Sequence, residues 1–169
     1  MEVFIQNLEK ENQAIVLGCW FKLGDSDENL QAILKERLEC KEGDFRVFIS
    51  DYYQSDLLYT PSEYENIFKL NTLVREFYLL DSHYQNIVNA MIEGGFYYDL
   101  AEAIDHKDCF ILHTDIQKAA DLGHFLIEQM ESCEVPDFIK SYIDYEAFGR
   151  DEQINSNGYF STYGYIEEL

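Results

Sequence analysis

The sequence predicts an α+β fold. Short runs of alternating apolar residues near both ends predict strands, apolar residues at helical spacing predict helices between them, and Gly, Asn and Pro turn signals join the elements. A chain of 169 residues can bury a core without disulfide or metal staples, as one domain or as two or three small ones. Three modules fit the order of elements: a sheet-plus-helix module over 1–60, a helical middle over 61–107, and an α+β module with a hairpin over 108–169.

Val3 and Ile5, then Ile15, Leu17, Cys19 and Phe21, alternate on either side of the polar stretch Glu9 to Gln13, as paired antiparallel strands do. Asp25, Ser26 or Asp27 can cap a helix carrying Leu30, Ile33, Leu34 and Leu38 and ending near Gly43. Phe45, Val47 and Ile49 alternate as a third strand. Thr60-Pro61-Ser62-Glu63 combines a capping box with proline at a first helical position, so a helix is expected from there through Tyr64, Ile67, Leu70, Val74 and Phe77 to Leu80, kinked near Asn71. Asp81 caps the next, with Tyr84, Ile87, Val88 and Met91 as its buried stripe and Gly94-Gly95 as its stop. A short helix follows over Tyr97 to Asp105.

Cys109 to His113 read as a strand, and Thr114-Asp115-Ile116-Gln117 as a second capping box opening a helix through Ala119, Leu122, Leu126 and Met130. Pro136 starts an amphipathic helix with Ile139, Tyr142, Ile143 and Phe148 on one face. Asn155-Ser156-Asn157-Gly158 is a turn. Phe160 to Thr162 and Tyr165 to Glu167 form a terminal hairpin around Gly164.

Charge is the least ordinary property. Thirty-three Asp and Glu face twelve Lys and Arg, a net charge of -21, yet 47% of residues are apolar and 15% aromatic, so the acidity belongs to a folded object. Self-repulsion of this size opposes compaction. Duplex DNA carries one charge per about 1.7 Å of axis, so the net charge equals that of roughly 36 Å of duplex, close to the ~40 Å diameter expected of a compact chain this long. Such a protein is not expected to bind nucleic acid itself; the partners it predicts are cationic surfaces, above all the grooves of DNA-binding proteins. Between Glu76 and His106 no Lys or Arg balances six carboxylates.

The expectation from the N-terminus, which lacks a basic and apolar leader, and from the absence of a long apolar window is a cytoplasmic protein with no membrane association. Cys19, Cys40, Cys109 and Cys133 are too widely spaced for a metal or disulfide framework.

Several motifs bear on chemistry. Asp25-x-Asp27-x-Asn29 with Glu36 resembles a calcium loop, but Leu30 replaces its glycine and the segment is already helical. His106, Cys109 and His113 lack a fourth zinc ligand. Asp144 and Glu146, a carboxylate pair of the type used by hydrolases, face different directions on a helix. No nucleotide-binding or nucleophile-elbow motif is present, and no metal, cofactor or catalytic residue is expected. Arg150 ties neighbouring carboxylates in place on this reading.

The remaining acidic residues form rows. Asp137, Asp144 and Asp151 are seven apart, so on one helix each lies about 20° round and roughly 10.5 Å along from the last, about the advance of three base pairs. Asp121 and Glu128 share that spacing, and Asp99, Glu102 and Asp105 sit three apart. With Glu146 these are the candidate phosphate-mimicking carboxylates.

Over its full length the chain resembles the ArdA-type antirestriction proteins. Val135-Pro136 followed by Tyr142, Ile143, Asp144, Tyr145, Glu146, Ala147, Phe148, Gly149, Arg150 and Asp151 resembles that family's antirestriction segment. Val3 to Leu8, Gly18-Cys19-Trp20-Phe21, Asp51-Tyr52, Ser62-Glu63-Tyr64 with Leu70-Asn71, and His113-Thr114-Asp115 match in order and spacing. Lys35, Arg37, Lys41 and Arg46 in the first module and Lys140 within the antirestriction helix depart from the pattern. The resemblance implies an elongated set of modules, a homodimer joined through the C-terminal part, carriage on mobile elements, and non-enzymatic DNA mimicry that competitively occupies the methyltransferase core of type I restriction-modification enzymes in the bacterial host. The alternative readings are an acidic module inhibiting another DNA-binding or defence protein, and a carboxylate hydrolase.

Overall fold

A computed structural model describes residues 1–129 and 135–169. Met130 and Cys133 lie outside them. Helices and two three-stranded antiparallel sheets make the fold α+β, as expected. The chain gathers into two compact units, Met1–Asp81 and Ser82–Leu169, dividing within the segment 61–107.

In the first unit β1 (Glu2–Asn7) is central, flanked by β2 (Gly18–Lys22) and β3 (Val47–Tyr53). Val3 pairs with Phe21 and Ile5 with both Cys19 and Ile49, so the alternating residues bury one sheet face. Two expected strands begin later than periodicity suggested. Before β2, the polar stretch after β1 folds as α1 (Leu8–Glu11), capped by the buried Asn7, whose Oδ1 accepts from Glu9 N and Lys10 N at 2.8 and 3.1 Å. Ile15 and Val16 are left exposed in the connection. Phe45 precedes β3 and packs on Phe68 instead.

Helix α2 (Asp27–Glu36) is capped by Ser26, whose hydroxyl accepts from Asn29 N, and buries Leu30 and Leu34. It ends well before Gly43, through Glu39 at φ 52°. α3 (Ile67–Leu79) starts a turn and a half after the expected Pro61. The expected box at Thr60 and Glu63 is replaced by a separate turn in which the Glu65 carboxylate accepts from Ser62 N and the Tyr59 hydroxyl, and Asn66 caps the helix by accepting from Phe68 N and Lys69 N. α3 runs unbroken through Asn71. Fully buried, Asn71 accepts from Gly24 N and donates to Asp25 O and Asp27 Oδ1, all within 2.9 Å, and fixes the β2–α2 connection on α3.

The second unit opens with α4 (Ser82–Glu93), stopped at Gly95, whose φ of 73° suits a residue without Cβ. α5 (Leu100–Asp105) is capped by Asp99. β4 (Phe110–His113), β5 (Tyr159–Ser161) and β6 (Gly164–Glu168) form a sheet in the order β4-β6-β5, pairing Leu112 and Tyr159 with Ile166. The hairpin is as expected.

α6 (Ala119–His124) begins later than its capping box suggested. Thr114 to Gln117 form a turn closed by Gln117 Nε2 donating to Thr114 O at 2.8 Å, and no side chain caps the helix. It continues as a π-helical turn, Phe125–Gln129. The Pro136 helix is not continuous. α7 (Asp137–Lys140) ends in a turn, and α8 (Tyr145–Asn155) starts afresh because the Asp144 side chain accepts from Ala147 N at 3.0 Å. Asp137, Asp144 and Asp151 therefore do not share one helix. Ile116, Leu122 and Tyr165 form a buried cluster under Phe125, Leu126 and Phe160.

Candidate functional site

All nine candidate carboxylates belong to the second unit, and each owes its position to local chemistry. On α5, Asp99 spends its carboxylate on the helix start, accepting from Ala101 N and Glu102 N at 2.8 and 3.2 Å. Glu102 and Asp105 project from the same helix because Leu100, Ala103 and Ile104 take the buried positions. Asp121 on α6 is half-buried and accepts from Gln117 N at 3.2 Å. Asp137 lies 3.2 Å from Lys140 Nζ. Asp144 caps α8, and Glu146 and Asp151 follow on it.

Except for Asp121, all of these residues are exposed. Among the described residues the carboxylates of Glu102, Asp105, Glu146 and Asp151 have no hydrogen-bond or ion-pair partner. Arg150 has none either, contrary to its expected role; it is exposed, and the carboxylates of α8 hold their places without it.

Charge is unevenly divided. The first unit has sixteen Asp and Glu against eight Lys and Arg, and pairs Lys10 with Glu39, Lys35 with Glu42, and Arg46 with Asp44 at 2.6 to 3.0 Å. The second has seventeen against four. Thirteen of its seventeen carboxylates thus have no opposite number in sequence, and the field of this unit is strongly anionic.

The segment Tyr142 to Asp151 is held on α6 by a close backbone crossing. A Cβ on Gly123 would fall on the Tyr145 carbonyl oxygen, and one on Gly149 on the Ala119 carbonyl oxygen and 2.8 Å from Gly123 N. Nothing larger than hydrogen fits at either position. The Tyr145 ring stacks on His124, centroids 3.7 Å apart and planes 15° apart, and its hydroxyl donates to Glu128 Oε1 at 2.9 Å. Burial first, then the Glu128 carboxylate, pushes the Tyr145 phenol above its usual range. The sequence reading did not single out Gly123 or His124: residue spacing along one helix carries no sign of what crosses it.

The calcium-like and zinc-like groups are engaged in structural contacts. Asp25 accepts from Ser26 N and Asn29, while Asp27 accepts from Arg75 and Asn71; those hydrogen bonds hold both carboxyls below the usual range. His106 stacks on Tyr97, whereas His113 packs on Phe125 beside Glu167, so the sequence's His-Cys-His trio occupies separate surroundings. Among the described residues no group of three or more His, Cys, Asp or Glu can hold a metal ion. No helix among them is long and apolar enough to cross a membrane.

Among curated proteins, none matches the chain. A family model described as antirestriction protein (ArdA) matches residues 3–167.

Proposed function

This chain belongs to the ArdA family of antirestriction proteins, and from that premise we propose that it is a non-enzymatic DNA mimic. On this reading it competes with duplex for the methyltransferase core of a type I restriction-modification enzyme in the cytoplasm of a bacterial host. The observation that carries the reading is the second unit's surface, where Glu102, Asp105, Glu146 and Asp151 stand exposed and unpaired among seventeen acidic residues and four cations. A groove lined with Lys and Arg would meet them as it meets phosphates, shedding counterions on binding. Asp99, Asp121, Glu128, Asp137 and Asp144 add charge around them while also serving helix caps, turns and side-chain contacts.

We further propose a homodimer contact at α7 and the turn after it, where Phe138 and Tyr142 are 75% and 86% exposed; sedimentation of the full chain tests it. The function is tested by competition between this protein and a short duplex for a purified type I methyltransferase. Displacement of the duplex is expected, weakening as salt is added. Failure to displace at saturating protein would overturn the reading.

A further inference from the structure

We infer that Gly123 and His124 are positioning residues that seat Tyr145 and so aim the carboxylates beside it. This deepens the function proposed above and rests on it. Three contacts of different chemistry converge on one side chain and its backbone. Gly123 leaves room for the Tyr145 carbonyl, the His124 imidazole lies flat on the phenol ring, and Glu128 accepts the phenol hydroxyl. His124 Nδ1 is itself 3.6 Å from the same Glu128 oxygen, which closes the group into a triangle.

The place of this seat in the fold gives it consequence. Tyr145 is the first residue of α8, directly after the capping Asp144 and directly before the exposed Glu146. One helical turn on, Gly149 meets the Ala119 backbone, so α8 is fixed on α6 at two points along its length. Two fixed points remove rotation about the helix axis as well as tilt. The directions in which Asp144, Glu146 and Asp151 project are then set before any partner arrives, and a surface ordered in advance loses less freedom on binding. The π-helical turn belongs to the same device. It places Glu128 at the phenol hydroxyl while His124, four residues earlier, covers the ring face. On this account Tyr145 serves as a joint inside the protein and not as a contact with the restriction enzyme.

The test compares the full-length protein with Gly123→Ala, His124→Ala and His124→Phe, using duplex displacement from the methyltransferase. Gly123→Ala and His124→Ala are expected to raise the half-displacing concentration about tenfold or more, with far-UV circular dichroism unchanged. His124→Phe, which keeps a flat ring over Tyr145, is expected to stay within about twofold of the parent. The second readout needs no target. Stacking at 3.7 Å shields the His124 Cε1 proton more than the 5.0 Å contact of His106 with Tyr97 shields that ring, so in proton NMR the most upfield of the imidazole signals is expected to disappear in His124→Phe and to return to an ordinary position in Gly123→Ala.

A His124→Ala protein that displaces duplex as well as the parent, or a His124→Phe protein as defective as His124→Ala, would overturn the inference. His124 has a half-exposed side chain, so its variants keep the test alive even if Gly123→Ala fails to fold. If the unaltered protein does not displace duplex, the mimicry reading falls, while the shielded imidazole signal still decides whether the seat exists.

Discussion

Single residues settle how the C-terminal helix lies on its neighbour. At Gly149 one added methyl group would strike the Ala119 backbone, which, unlike a side chain, cannot swing aside. Gly149→Ala is expected to cost the second unit about 1–3 kcal/mol, read as a lower urea midpoint at unchanged slope. Asp27 decides a different property. Its folded-state pKa is lowered by the Arg75 and Asn71 hydrogen bonds, so its stabilising effect is present above the unfolded value and is lost as pH falls through the folded one. Urea unfolding of the first unit is therefore expected to weaken on acidification below about pH 4, and Asp27→Asn to flatten that part of the profile. Some of this was readable in advance. Ser26 was among the predicted caps because a short polar side chain preceded an apolar period. Asn71 misled, since a polar residue inside a helical stripe gives no sign of a buried partner from another segment.

At the scale of elements, the second unit joins its first helix to its last hairpin through one carboxylate. Both Glu93 oxygens accept from Thr162 N at 3.1 Å, and one accepts the Thr162 hydroxyl at 3.0 Å; Asn89 Nδ2 donates to the Tyr163 hydroxyl one turn earlier. Glu93→Ala is expected to remove about 1–3 kcal/mol and to speed hydrogen exchange at Thr162 and Tyr163 ahead of α4 itself. The hairpin was legible because Gly164 interrupts two short apolar runs. The break between α7 and α8 was not, because Ile139, Tyr142, Ile143 and Phe148 keep helical spacing straight across it. Asp144 overrides that spacing by capping. The same competition delayed α3: Ser62 N donates to Glu65, not to the Glu63 of the expected box, and that contact serves a turn. Periodicity reports which face of an element is apolar, and capping side chains decide where the element begins.

For the whole molecule, acidity is a distributed property, and its loss should be distributed too. Neutralising Glu102, Asp105, Glu146 or Asp151 alone is expected to weaken duplex displacement by no more than about fivefold, the scale of one exposed ion pair. Neutralising all four together should weaken it by about 10- to 100-fold, measured in the same competition. Composition made this acidity plain, but which carboxylates would also serve caps or ring contacts depended on local geometry that no count reveals. The unequal division of charge has a further consequence. Ions that shield the second unit's crowded carboxylates from a partner also shield them from one another, so added sodium chloride should raise the melting temperature of that unit more than that of the first, which already pairs its lysines and arginines. If the proposed mimicry holds, the condition under which this protein is most stable is then the one under which it binds its target least, and its working range is a compromise fixed by ionic strength.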